Sequence, residues 1–305
     1  MDFLYVLQKI RVPGLNELML AVTELGGEMP FLVIALIVFW CVDKRRGYYV
    51  LSVGFLGTLT NQFMKLWFRI PRPWVLDPDF TILEAAREAA TGYSFPSGHT
   101  TSAVATFGSI AVTEKNRKIV WLCVILAALV GLSRMYIGVH TPADVLVGAL
   151  TSIVLIGLLR KVPQRDGGMK CLTAVMLLLS LGLMAFVKLY PFPNDVDSHN
   201  LESGIKNAFT MVGCMLGVLI VYYGEKRFVN FSTEAVWWAQ ILKAVLGLGL
   251  VLAVKEGLRA PLELICGNPL TARLIRYFLI VALAGIVWPM SFRFFSKLGR
   301  KKELI

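Results

Sequence analysis

Apolar residues come in long, unbroken runs along this chain, and short polar or basic clusters separate them. The runs are continuous rather than alternating. That pattern predicts helices long enough to cross a membrane, about 20 residues each, rather than strands of a closed barrel. The expected spans lie at about 28–42, 48–68, 97–113, 119–138, 142–160, 171–190, 204–224, 235–255 and 274–296. Ahead of them, Leu15, Leu18, Met19, Val22 and Leu25 recur at helical spacing, and Gly26-Gly27 ends the segment. That segment is expected to lie in the membrane interface. The fold class read from the pattern is all-α: a polytopic membrane helical bundle of about nine transmembrane helices.

Composition agrees. Of 305 residues, 56% are hydrophobic and 17% charged, with a mean hydropathy of +0.67. A soluble domain carries about a quarter charged residues. The net charge of +11 does not point to nucleic acid, because no soluble domain presents a basic face. The basic residues sit instead in short loops at 43–47, 114–118, 160–170 and 225–227 and in the tail 297–305. The loops 69–96, 191–203 and 256–273 are longer and carry Asp and Glu. The positive-inside rule makes the first set cytoplasmic, so the N-terminus faces out and the C-terminus in. No basic n-region precedes a cleavable apolar stretch, so the first span is expected to direct insertion. Cys41, Cys123, Cys171, Cys214 and Cys266 are scattered and form no C-x-x-C, which implies neither disulfides nor a metal.

Three polar stretches stand out against this background, all on the expected extracytoplasmic side: Lys65 with Arg72-Pro73, then Pro96-Ser97-Gly98-His99, then Ser133-Arg134 with His140 and Asp144. Ser97 suits a helix N-cap, and Gly98 lets a backbone N–H approach an anion. The free N–H groups of a helix start attract phosphate. Thr141-Pro142 also reads as a helix start, and Asp144 in its first turn reaches back toward His140. A carboxylate on one ring nitrogen leaves the other as nucleophile. Lys65, Arg72 and Arg134 are costly near a membrane without a task, and three cations suit a phosphoryl group in transfer.

In these motifs the chain resembles the type 2 phosphatidic acid phosphatase (PAP2) superfamily, with no departure at a signature position; the likeness covers about 48–160. The resemblance implies a six-helix core and phosphoester hydrolysis through a phosphohistidine, with no metal and no cofactor. It implies His140 as nucleophile, Asp144 as its orienter and His99 as general acid. It further implies phosphate binding by Lys65, Arg72, Ser97, Gly98 and Arg134. Residues 1–200 would form the catalytic membrane domain, an interfacial helix plus six spans, and 201–305 three further transmembrane helices. The stretch Arg72-Pro73-Trp74-Val75-Leu76-Asp77 and the nine-span layout are similar to glucose-6-phosphatases, and the layout also to sphingosine-phosphate phosphatases.

The expected function is hydrolysis of a lipid phosphate monoester or terminal diphosphate: phosphatidate, phosphatidylglycerophosphate, a polyprenyl diphosphate or a sphingoid phosphate. Alternatives are a sugar-phosphate phosphatase, a lipid phosphotransferase, or a transporter or lipid-binding scaffold that kept the pocket. Vanadium haloperoxidases share the constellation but are soluble. Partners are a phosphorylated lipid and the surrounding membrane. Gly213 and Gly217 form a G-x3-G that suits helix packing or a homo-oligomer seam. His199 among Asp195, Asp197 and Asn200 reads as a polar outer loop rather than a cation site. Residues 81–90 read as a helix in the long loop before the second motif, serving as lid or connector.

Overall fold

A computed structural model of the chain describes residues 1–165, 167–194 and 196–298. Every regular element among them is helical. In chain order these are α1 (Asp2–Lys9), α2 (Pro13–Glu24), α3 (Glu28–Ile37), α4 (Lys44–Phe68), α5 (Pro73–Leu76), α6 (Gly98–Ala103), α7 (Ser109–Thr113) and α8 (Arg117–Tyr136). Then come α9 (Pro142–Leu159), α10 (Gly168–Leu189), α11 (Ser198–Gly224), α12 (Trp237–Gly257), α13 (Arg259–Cys266), α14 (Pro269–Ala282) and α15 (Phe292–Phe295).

Among the described residues, six helices are long and apolar enough to cross a membrane: those containing α8, α9, α10, α11, α12 and α14. A seventh arises if α2 and α3, bent by 52°, count as one span. The expected number of nine is not reached on these grounds, and the two remaining stretches show why. The segment from α6 to α7 covers only 98–113, about 24 Å at ~1.5 Å per residue, against a hydrocarbon core of about 30 Å. Helix α4 is long enough at 25 residues, but it carries Ser52, Asn61 and Lys65 in buried positions. A helix enclosed by other helices has no need of a lipid-compatible composition.

The chain divides into two compact units. The first comprises residues 1–34, 49–160 and 189–205. Within it α2 packs on α8, and α6 packs on both α8 and α9. Small residues set these approaches. A Cβ on Gly148 of α9 would stand 2.7 Å from the Ser97 carbonyl oxygen, and one on Gly54 of α4 would strike the Phe31 ring at 2.2 Å. Loop and helix are joined by an apolar cluster of Ile82, Ala86, Tyr136, Ile137 and Val139.

That cluster corrects one expectation. Residues 81–90 are not a helix; a single tight turn at Glu84–Ala86 is the regular structure there. The Leu83 N–H is donated to the Ile137 carbonyl at 3.0 Å, and Ile82 and Ala86 are drawn into the cluster. Tertiary pairing outcompetes the local preference of an Ala- and Glu-rich stretch.

The second unit comprises residues 35–48, 161–188 and 206–305, of which 299–305, most of the basic tail, lie outside the described residues. Gly213 of α11 sits against the Leu274 backbone of α14, and Gly217 against Val281 and the Phe278 carbonyl. The G-x3-G is therefore a packing seam within the chain. Lys44 pairs with the buried Glu225 at 2.8 Å. Asp195 lies outside the described residues, and no cluster of three His, Cys, Asp or Glu suited to a metal occurs among those described.

Candidate active site

The three motifs meet in the first unit. Lys65 projects from the last turn of α4 and is 8% exposed; its Nζ donates to the Tyr93 carbonyl and, at 3.4 Å, to that of Ser94. Arg72 caps α5, where Pro73 at the first helical position has no N–H to lose. Its guanidinium donates to the carbonyls of Thr91 (2.7 Å), Gly92 (3.1 Å) and Val139 (3.0 Å). The carbonyls of 91–94 thus face two cations.

Ser97 caps α6, as its residue type predicts: its Oγ accepts from the Thr100 backbone at 3.4 Å and the Thr100 hydroxyl at 2.9 Å. A cap of this kind contributes about 1 kcal/mol. The turn is tied down on both sides. Asn61 of α4 donates to the Pro96 carbonyl at 3.1 Å, and the Ser97 N–H is donated to the Asp144 carbonyl at 2.9 Å. Gly98 opens the helix and His99 follows it, only partly buried.

His140 lies in the connection between α8 and α9 and is 1% exposed. Arg72 Nη1 stands 3.0 Å from its Nε2. Arginine only donates, so Nε2 accepts and the ring proton belongs on Nδ1. Nδ1 faces Ser94 Oγ at 3.4 Å and Asp144 Oδ2 at 3.5 Å. Asp144 Oδ2 also accepts from the Ser94 hydroxyl at 2.6 Å and from the Thr141 N–H at 2.7 Å, closing a capping box at the start of α9. Burial, and after it the charges of Arg72, Arg134, Lys65 and His99, hold His140 well below the ordinary histidine value. The same burial lowers Arg72 to about 10, with Asp144 opposing the shift. At neutral pH the ring is therefore neutral and the guanidinium charged. That combination suits a nitrogen nucleophile beside an anion-binding cation.

Arg134, in the last turn of α8, is 3% exposed; Nη1 donates to Thr23 Oγ1 at 2.8 Å, and the buried Nε makes no hydrogen bond among the described residues. His99 lies within electrostatic reach of Arg134, Arg72 and Lys65. All eight expected site residues thus fall in one region of one unit. Ser133 has a different task. It is fully buried, and its hydroxyl donates to the Val130 carbonyl inside α8.

Three contributors were not expected from sequence. Ser94 shares Asp144 with His140, Asn61 holds the turn before α6, and Thr23 holds Arg134. Ser94 stood two residues from a motif, which was a usable signal. Asn61 sits one helical turn before Lys65 on the same face, a weaker one. Thr23 gave none, because α2 is remote in sequence from Arg134.

Comparison with known proteins identifies the family. Residues 46–167 match the PAP2 superfamily, and residues 209–301 match the transmembrane extension of PAP2 superfamily phosphatases. The chain is 36% identical over 147 residues to an undecaprenyl-diphosphatase, BcrC, of Bacillus subtilis (strain 168), covering 48% of this chain and 72% of the relative. It is 33% identical over 164 residues to phosphatidylglycerophosphatase B of the same organism, covering 50% and 76%. A mouse (Mus musculus) glucose-6-phosphatase 3 is 30% identical over 198 residues, covering 57% of each chain. No solved structure matches. With relatives this similar over most of their own length, the chain is a phosphoric ester hydrolase, a multi-pass membrane phosphatase that belongs to the PAP2 superfamily.

Proposed function

We propose that the protein removes a terminal phosphate from a membrane lipid, a polyprenyl diphosphate or a phosphatidylglycerophosphate, through a phosphohistidine. The observation that carries this reading is the setting of His140: Nε2 beside Arg72 at 3.0 Å and Nδ1 beside Ser94 and Asp144. Lys65, Arg72 and Arg134, with Ser97 and the Gly98 N–H, bind the phosphoryl oxygens. Arg72 turns from Nε2 to the incoming phosphate and so frees the lone pair. That lone pair attacks phosphorus, the bond to the leaving oxygen breaks, and His99 delivers a proton to the departing group. Asp144 balances the positive charge that grows on the ring. Water then attacks the phosphohistidine, His99 takes its proton, and inorganic phosphate leaves.

The relatives named for undecaprenyl diphosphate and phosphatidylglycerophosphate support the lipid class. The catalytic part comprises 1–200, and 201–305 adds three helices. We count nine crossings, by adding α4 and the α6–α7 segment as spans enclosed by protein. The N-terminus then faces out, and the site opens on the extracytoplasmic side. The test is phosphate release in detergent from undecaprenyl diphosphate, phosphatidylglycerophosphate, sphingosine 1-phosphate and glucose 6-phosphate. The expected result is turnover of one of the first two, abolished in His140→Ala. Preference for glucose 6-phosphate would move the protein to sugar phosphates, and release that survives in His140→Ala would refute the nucleophile.

A further inference from the structure

The segment before residue 46 lies outside the stretch that matches the PAP2 superfamily, yet its second helix borders the site. Thr23, in the last turn of α2, is 3% exposed. Its hydroxyl oxygen accepts from Arg134 Nη1 at 2.8 Å. Gly26, just beyond, lies against the backbone of His99: a Cβ there would be 2.7 Å from the His99 carbonyl oxygen and 2.7 Å from Val130. The helix is fixed in this position along its length. Asn16 accepts from the Tyr136 hydroxyl at 2.7 Å. Leu15, Met19 and Leu20 pack on the cluster around Ile137, and Val22 and Leu25 on the cluster around Val130. An amphipathic helix serving only as a surface anchor has no reason to place a buried hydroxyl on a buried arginine.

We propose that Thr23 is a positioning residue of the phosphate site, acting through Arg134. A guanidinium has five N–H donors on a long side chain, and burial removes the water that would otherwise satisfy them. Thr23 takes one donor on Nη1 and fixes the plane of the fork. The Nε–H, buried and without a partner among the described residues, is then presented to a phosphoryl oxygen. A phosphate bound by a fixed fork loses less conformational entropy than one that must order it. The bend after α2 is thereby part of the catalytic site, and the N-terminal segment sets how tightly the phosphate head is held.

This inference rests on Arg134 as a phosphate ligand, and the experiment separates the two. KM on a lipid phosphate and Ki for orthovanadate are measured for the full-length protein in detergent and for Thr23→Val, Thr23→Ser, Arg134→Gln and the double variant Thr23→Val/Arg134→Gln. Thr23→Val keeps the shape and removes the acceptor. It is expected to raise KM and the vanadate Ki together by about tenfold, the scale of a hydrogen bond to a charged group, with kcat changing less. Thr23→Ser keeps the hydroxyl and stays near wild type. In the Arg134→Gln background Thr23→Val adds nothing further, as expected for one shared interaction. If Thr23→Ser falls as far as Thr23→Val, the methyl and its packing matter and the proposal is wrong. An unchanged vanadate Ki in Thr23→Val, beside a raised one in Arg134→Gln, overturns Thr23 alone. An unchanged Ki in Arg134→Gln overturns the reading of Arg134 and the inference with it.

Discussion

The two histidines differ in their surroundings, and under the proposed mechanism the difference gives them separable tasks. His140 has a carboxylate and a hydroxyl on one ring nitrogen and a guanidinium on the other. His99 is only partly buried, and its ring makes no hydrogen bond among the described residues. A group with no fixed partner is free to hand a proton to a leaving oxygen. General acid help amounts to about 10²–10⁴-fold and matters most for a poor leaving group such as a lipid alcohol. His99→Ala is therefore expected to lose most activity on the lipid substrate and to retain more on p-nitrophenyl phosphate. His140→Ala should lose both and trap no acid-labile phosphoenzyme. Equal losses on both substrates in the two variants would remove the distinction. Asp144→Asn is expected to keep the fold, since an amide oxygen still accepts the Thr141 N–H, while turnover falls by a few orders of magnitude. The same exchange in a Ser-His-Asp triad costs about 10⁴ in kcat. Near-normal turnover in a folded Asp144→Asn would reduce that carboxylate to a helix cap.

At the scale of elements, helix α9 carries two demands at once: it bears Asp144 in its first turn, and it brings its backbone against the turn that opens α6. Gly148 meets the second demand. A Cβ there would stand 2.7 Å from the Ser97 carbonyl oxygen, so any side chain must push backbone, whereas Gly157 on the same helix has nothing within 4 Å of a Cβ position. Gly148→Ala is expected to cost about 1–3 kcal/mol through overpacking and to lower activity by shifting Ser97 and Gly98. Gly157→Ala should be neutral or stabilising by up to about 1 kcal/mol. Thermal unfolding in one detergent, with activity at a permissive temperature, checks the pair. Equal effects would show that the α9–α6 approach does not position the phosphate turn. The seam of Gly213 and Gly217 on α14 follows the same principle in the second unit, where small residues let backbones meet.

For the whole molecule, the proposal of an extracytoplasmic site rests on the alternation of basic and acidic loops. Glu88 is exposed in the loop that leads to the second motif. Glu88→Cys, in a background with the five native cysteines replaced, is expected to react with an impermeant thiol reagent in intact cells. Labelling that requires permeabilised cells would invert the topology. The helical class, the membrane setting and the three motifs were all legible in the sequence. Long apolar runs leave a chain in lipid no other way to satisfy its backbone, and residue types such as Ser97, Pro142 and Asp144 announce helix starts within a few positions of themselves. Such signals are local, and a linear reading recovers them. What the tertiary structure alone decided was non-local. It settled that the stretch 81–90 gives up a helix to pair with Ile137, and that polar α4 is enclosed by other helices. It brought Ser94 onto the carboxylate beside His140, and Thr23 onto Arg134 across 111 positions of sequence. Contacts of that kind depend on which helix faces come together, and no spacing along the chain encodes them.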